Sequence, residues 1–281
     1  MSLSKLFLWK GKIGLRTLRV VVKGAGEMAT GIAHRLFMAG ITRIVMTEIA
    51  QPLAVRRGVS FCEAVYEGFM EVEGVRAERI SNGAALDLVW KRRSVGVIVD
   101  PSWRIVGEVR PDVVVDAMMA KRNTGTHKAE GSLVIGVGPG FMAPNDVHAV
   151  VESNRGHNLG RVIYEGQADP YTGMPGATEG YREERVLRAP RAGLVRHVKT
   201  LGEPVSKGAT ILYVGEDPVQ AAIGGIVRGL IREIEVERGE KVGDIDPRAQ
   251  RINCYTISDK ARAIAGGVLE AIMHHYNRPE V

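Results

Sequence analysis

Four groups of residues have the types and spacing that chemistry needs. The first is the turn Lys23-Gly24-Ala25-Gly26-Glu27-Met28-Ala29. Glycines placed directly after a buried strand let backbone N–H groups approach a phosphate, and the start of the following helix favours negative charge there. Gly24, Ala25, Gly26, Glu27 and Met28 are therefore candidate cofactor-binding residues. The same glycines would also serve simply to pack a helix tightly on a strand. Glu48 lies at the end of the next apolar run, where an acid can hydrogen-bond ribose hydroxyls and disfavours a 2′-phosphate. NAD is thus expected ahead of NADP, with other nucleotides or dinucleotides left open.

The second group sits at strand ends, the edge of an open α/β sheet where ligands collect. Asp100 and Asp116 each close an apolar run, and Lys121-Arg122-Asn123-Thr124 follows the second. These donors could hold a phosphate or carboxylate, or form a solvated basic loop. The third group is His148, Glu152, Arg155 and His157. His148 and Glu152 share one face of an expected strand, so a metal site with His157 can be drawn, but the spacing matches no defined zinc pattern. Structural histidines are the alternative, and Arg155 with His157 could instead bind an anion or move a proton. The fourth group is the cysteines. Cys254 precedes a capped helix start that could activate a thiol, or is buried and inert; Cys62, beside Glu63, reads as structural. The catalytic candidates are then Lys121, Arg155, His157 and Cys254.

These residues need a frame to position them. Val20-Val21-Val22 is a β-branched run of the kind a strand covered on both faces requires. Ala29, Ile32, Ala33, Leu36 and Phe37 then recur at helical spacing, with Gly40 as the stop. Further apolar runs at 44–46, 95–99, 113–115 and 133–137 alternate with turn formers. A helix is expected from Ser81 or Asn82, and a short helix and hairpin between Gly58 and Val75. The pattern predicts an α/β, Rossmann-like, doubly wound parallel sheet over 19–176, after an N-terminal extension at 1–18. A turn-rich stretch, Asp169 to Gly176, reads as a linker. Beyond it, Gly193-Leu-Val-Arg196 is answered by Gly225-Ile-Val-Arg228, an internal repeat that predicts a small β barrel-sandwich domain over 177–254, similar to biotinyl and lipoyl carriers. It has no Met-Lys-Met motif, so covalent biotin or lipoate is not expected. A C-terminal helix over 255–281 should pack back.

Composition narrows the classes. At 281 residues, with 45% hydrophobic and 25% charged, the chain has the make-up of a globular protein with a sizeable core. No run approaches the roughly 20 apolar residues that span a bilayer, and two distant cysteines provide no disulfide framework, so a reducing cytoplasm is expected. The net charge is +6, yet the basic residues are dispersed and aromatics are only 5%, which favours an anionic small molecule or acidic protein over nucleic acid. A homo-oligomer is open.

Several runs together resemble a known family. Val21-Val-Lys-Gly24-Ala-Gly26, Met46-Thr-Glu48-Ile-Ala-Gln51-Pro52, Ala120-Lys121-Arg122-Asn123, Val147-His148 through His157, and Ile257-Ser-Asp259-Lys260-Ala-Arg262 resemble the YqeB-like family of selenium-dependent molybdenum hydroxylase accessory proteins, which is similar to XdhC-type maturation factors. The resemblance runs from about Val20 to Ile272. It implies a maturation or cofactor-supply role, with a molybdenum hydroxylase or its cofactor-supply proteins as partner and a nucleotide-bearing form of the cofactor as ligand. An NAD-dependent oxidoreductase acting on a small anionic substrate is the other reading of the same residues, and a scaffold with an empty turn is the third.

Overall fold

A computed structural model describes residues 14–174 and 176–277. Most of the expected N-terminal extension falls outside them. Val20, Val21 and Val22 build the centre of strand β1 (Arg19–Lys23), which is buried from Val20 to Lys23. Helix α1 (Glu27–Met38) follows at once, laying Ala29, Ile32, Ala33, Leu36 and Phe37 into the core. It stops at Gly40, whose φ of +89° suits a residue without Cβ. Strand β2 (Arg43–Glu48) then returns parallel to β1, with Val22 opposite Met46 and Lys23 opposite Thr47.

The short helix and hairpin expected between Gly58 and Val75 are present: α2 (Ala64–Glu67) leads into an antiparallel pair of β3 (Phe69–Val72) and β4 (Val75–Ile80), which runs on five residues past Val75. Asn82 caps the next turn from the Ala84 N–H at 3.1 Å, and α3 (Leu86–Lys91), β5 (Val95–Val99), α4 (Arg104–Val109) and β6 (Val113–Asp116) follow. Strands β7 (Leu133–Val137), β8 (Ala149–Val151) and β9 (Val162–Ile163) complete a nine-stranded sheet ordered β3-β4-β5-β2-β1-β6-β7-β8-β9. Seven inner strands are parallel, while β3 and β9 run antiparallel at the two edges. Strand β5 slips between β2 and β4, so the sheet does not wind outward strand by strand. Only a 3₁₀ turn, Lys128–Glu130, lies between β6 and β7.

The rest of the chain supplies two four-stranded antiparallel sheets. Their strands are β10 (Val186–Arg188), β11 (Gly193–His197), β12 (Pro204–Val205), β13 (Thr210–Val214), β14 (Asp217–Gln220), β15 (Gly225–Leu230), β16 (Glu235–Val236) and β17 (Lys241–Asp246). The orders are β10-β17-β15-β12 and β14-β13-β11-β16, so each sheet takes two strands from each half of the repeat. The expected Rossmann-like doubly wound sheet with a barrel-sandwich domain is therefore corrected to one large mixed sheet plus two antiparallel sheets. The cause is the β3–β4 hairpin and the helix-poor connections after β6, neither of which a doubly wound sheet contains.

One face of the large sheet is covered by α1 and by the C-terminal helix α5 (Asp259–Tyr276), the other by the short α3 and α4. α1 and α5 meet closely near their starts: a Cβ on Gly31 would lie 2.9 Å from that of Ala261. The antiparallel sheets are stitched to the large one by backbone and charge. Leu230 N–H donates to Val55 O at 2.8 Å, Arg57 Nε to Leu230 O at 2.7 Å, and Arg232 Nε to Glu63 at 2.8 Å. Among the described residues no helix is long and apolar enough to cross a membrane.

Candidate functional site

The glycine turn lies at the carboxyl edge of β1, in the middle of the large sheet. Gly24 has φ +92°, and a Cβ there would sit 3.3 Å from the Met118 backbone, so this glycine serves close packing of two loops. Gly26 is different. Its φ is −70°, it precedes α1 with no side-chain cap, and a Cβ on it would meet nothing within 4 Å. The start of α1 thus faces open space with its first N–H groups uncapped by any side chain.

Glu48 closes this turn from the side. Its Oε2 accepts the Ala25 N–H at 3.0 Å and its Oε1 accepts the Ile49 N–H at 2.9 Å. Burial raises its pKa and the two N–H groups pull it back down. Each carboxylate oxygen has a lone pair left, so the group can still accept from hydroxyls of a ligand. Glu48 stands opposite Val99 across the β2–β5 ladder, and Val99 lines a cleft of about 530 Å³ with Ile80, Ile98, Arg79, Ser81 and Gly68.

On the other side of the turn lies a buried charge network. Lys23, fully buried, donates to Thr126 Oγ1 and Glu130 Oε1, both at 2.8 Å, and its Nζ lies 3.9 Å from the Trp103 ring centre. Thr126 in turn donates to Asp116 at 2.7 Å, and burial raises the pKa of that carboxyl. Trp103, Met119 and Lys121 all adopt positive φ around this edge, a concentration of strained backbone typical of functional sites. Asn123 accepts the N–H groups of Gly125 and Thr126 at 2.9 and 2.8 Å and so fixes the loop.

The expected site residues fare unequally. Gly24, Ala25, Gly26, Glu27, Met28 and Glu48 do assemble around one turn. Lys121 is exposed with Nζ 3.7 Å from the Tyr171 ring centre, in the loop whose Met118 packs on Gly24. Arg155 holds Asp259 through two hydrogen bonds of 2.7 and 2.9 Å and is close enough to Glu27 to feel its charge. That pairing pulls the Asp259 carboxyl far below its ordinary value. His157 is exposed. The metal set is not formed: among the described residues no group of three or more His, Cys, Asp or Glu could hold an ion. His148 Nδ1 accepts the Val134 N–H at 2.9 Å, and Glu152 accepts those of Asn154 and Asp169 at 2.6 and 2.7 Å, so both carry loop structure instead. Cys254 is buried, its Sγ 3.7 Å from Val227 O, and burial raises its pKa against the pull of Arg56 and Arg228, so the thiol is not activated. Burial likewise pushes the Cys62 thiol well up. Sequence reasoning passed over Lys23 as a mere flank of the turn, although a lysine ending a fully covered strand is itself a signal.

Comparison with known proteins adds one relative. The chain is 45% identical over 255 residues to Uncharacterized protein YqeB of Escherichia coli strain K12, across 90% of this chain and 47% of that protein. The chain is similar to YqeB. It spans about half the length of that relative, and the match supports the YqeB-like resemblance expected above but not the selenium and molybdenum link expected with it. No family model matches. Among solved structures, the ectoine utilization protein EutE (DoeB) of Ruegeria pomeroyi aligns at 11% identity over 81% of this chain and 85% of its own, with a TM-score of 0.24. A succinylglutamatedesuccinylase/aspartoacylase from Rhodobacter sphaeroides aligns at 14% over the same shares, 81% and 85%, with a TM-score of 0.25. Scores this low transfer neither fold nor function.

Proposed function

We propose that this chain is a binding protein for a nucleotide or dinucleotide-bearing ligand, which it takes up at the carboxyl edge of β1, β2 and β5. The observation that carries this reading is the pairing of an open, uncapped helix start at Gly26 with a carboxylate, Glu48, anchored beside it on the Ala25 N–H. Phosphate oxygens suit the first and ribose hydroxyls the second. The cleft beyond Glu48, with Ile80, Ile98 and Val99 as apolar walls and Arg79 and Ser81 as polar ones, supports this reading by offering a base apolar faces and hydrogen-bonding groups. A carboxylate at the ribose position favours a free 2′-hydroxyl, so NAD should bind ahead of NADP.

The test is calorimetric titration of the purified chain with NAD, NADP, ATP and CTP, repeated with Glu48→Ala. The expected result is saturable binding of at least one ligand, weakened in the variant. Absence of binding by all four at millimolar concentration, or binding unaffected by the variant, would refute it.

A further inference from the structure

A second cleft, of about 390 Å³, opens where the antiparallel sheets meet the large one. Arg57 and Tyr66 line it from one side, and His197, Arg232, Glu233 and Ile234 from the other. Junctions between packed units are where small-molecule sites concentrate. Each wall is anchored by contacts of its own. Arg57 Nε donates to Leu230 O at 2.7 Å, Tyr66 Oη donates to Pro52 O at 3.1 Å, and His197 Nε2 lies 2.7 Å from Ile231 O. Arg232 spans the junction, donating through Nε to Glu63 at 2.8 Å and through Nη2 to Glu67, with its Cζ 4.4 Å from the Tyr66 ring centre.

This anchoring leaves charged groups of both signs with bonding capacity to spare. Arg57 is half-buried and forms no ion pair among the described residues, and its Nη groups make no hydrogen bond there, so their N–H donors are unused. Glu233 gives one oxygen to the His197 N–H at 2.7 Å and keeps the other. The Glu63 side chain is 6% exposed; its Oε2 is taken by Arg232, while its Oε1 is buried without a hydrogen-bond partner among the described residues. A carboxylate oxygen left bare in this way is costly unless a donor reaches it. Burial lowers the Arg57 pKa, and the charges of Glu63, Glu67 and Glu233 hold it up against Arg232. A simple anion would satisfy Arg57 but be repelled by these carboxylates, and a simple amine would do the reverse. A molecule with both groups meets both demands.

We infer that this cleft binds a small dipolar molecule, its carboxylate on the Nη groups of Arg57 and its ammonium group on Glu233. A free α-amino acid is the simplest member of that class, and Ile234 offers apolar surface to its side chain. The occupant would touch residues of the large sheet's loops and of the antiparallel sheets at once, and so brace the junction that Arg57 and Arg232 already stitch. This site goes beyond the nucleotide reading and does not depend on it.

The standard free amino acids are the probes, each titrated to millimolar concentration into the full chain at constant ionic strength and followed by thermal unfolding against a sodium chloride control. At least one is expected to raise the midpoint saturably. Its N-acetyl form, which loses the ammonium group, and its methyl ester, which loses the carboxylate, should each bind about tenfold more weakly or worse. Arg57→Gln should remove the ester penalty alone, and Glu233→Gln, which keeps an amide oxygen for the His197 N–H, the acetyl penalty alone. A merely structural role would weaken all three ligands together. Glu233 is exposed, so its variant carries the test if Arg57→Gln fails to fold. Responses equal to the chloride control for every amino acid, or an acetyl penalty unchanged in Glu233→Gln, would overturn the site. Amino-acid binding lost in Glu48→Ala would also overturn it, by placing the ligand at the carboxyl edge. Amino-acid binding retained in Glu48→Ala, with nucleotides failing to bind the wild type, supports the cleft and removes only the proposed function.

Discussion

Replacing Gly26 with alanine separates a glycine kept for a ligand from one kept for the fold. At this position the backbone is already in a region any residue adopts, and the new methyl meets no neighbour within 4 Å. Alanine is the poorer residue before a helix by some tenths of a kcal/mol, and it recovers about 0.4–1 kcal/mol by restricting the unfolded chain. The stability of Gly26→Ala without ligand should therefore stay within about 0.5 kcal/mol of wild type. The methyl does, however, fill the space a phosphate must enter. Losing one charge-assisted hydrogen bond of about 1.5–3 kcal/mol weakens binding roughly 10- to 150-fold. In a thermal shift assay, ligand at about 100 times the wild-type Kd adds roughly 2.7 kcal/mol. A variant weakened about 30-fold keeps only about 0.9 kcal/mol of that at the same concentration. Gly24→Ala is the contrasting control: with φ +92° and the Met118 backbone 3.3 Å from the new methyl, it should lose stability by about 1–2 kcal/mol in the absence of any ligand. A folded Gly26→Ala that binds as tightly as wild type would refute the assignment of the turn.

Other outcomes follow from the same geometry. Lys23→Met strips the half-buried Glu130 of its fully buried cation and should cost about 3 kcal/mol in urea unfolding, with part recovered when Glu130→Gln is added. Burial depresses the pKa of both His148 and His197, so below the ordinary histidine value near 6.5 the unfolded chain takes up protons that the folded one resists. Stability should thus be full at pH 7 to 8 and fall from about pH 6.5 towards pH 5; His148→Asn, which keeps an acceptor near the Val134 N–H, should flatten that slope, and an unchanged pH profile would contradict the linkage. Gly31→Leu would drive a side chain into Ala261 and should destabilise by about 1–3 kcal/mol or detach α5, visible as faster amide exchange over 259–276.

The opening β1–α1–β2 unit was legible because a β-branched run, two glycines and a helical apolar stripe all point the same way over residues 20–48. Strand existence was legible further on, but strand order was not. Val95–Val99 reads as a covered strand wherever it sits, and nothing local says that it enters between β2 and β4. The same limit hid the antiparallel edge at β9, which is only two residues long, while the hairpin that makes the other edge was expected before Val75 but its place in the large sheet was not. Glu48 was found because its spacing from Gly26 is set by one helix and one strand. Arg56 was not, because it is a single cation in its own segment and only the fold carries it onto Glu27 at the start of α1, 3.1 Å away. Glu152 misled for the opposite reason: its neighbours in sequence suggest ligation, while its carboxylate is used up by two backbone N–H groups.

The interleaving of the repeat has a consequence for how such a structure arises. Half one runs from β10 to β13 and half two from β14 to β17, and neither completes a sheet alone, since β11 pairs with β16 and β12 with β15. A single ancestral half would expose unpaired edges and half a core, and two copies would satisfy each other only by exchanging strands. The present arrangement has the geometry that such an exchanged pair would take once joined, with β13–β14 as the join. A peptide covering 183–216 alone should accordingly assemble with itself.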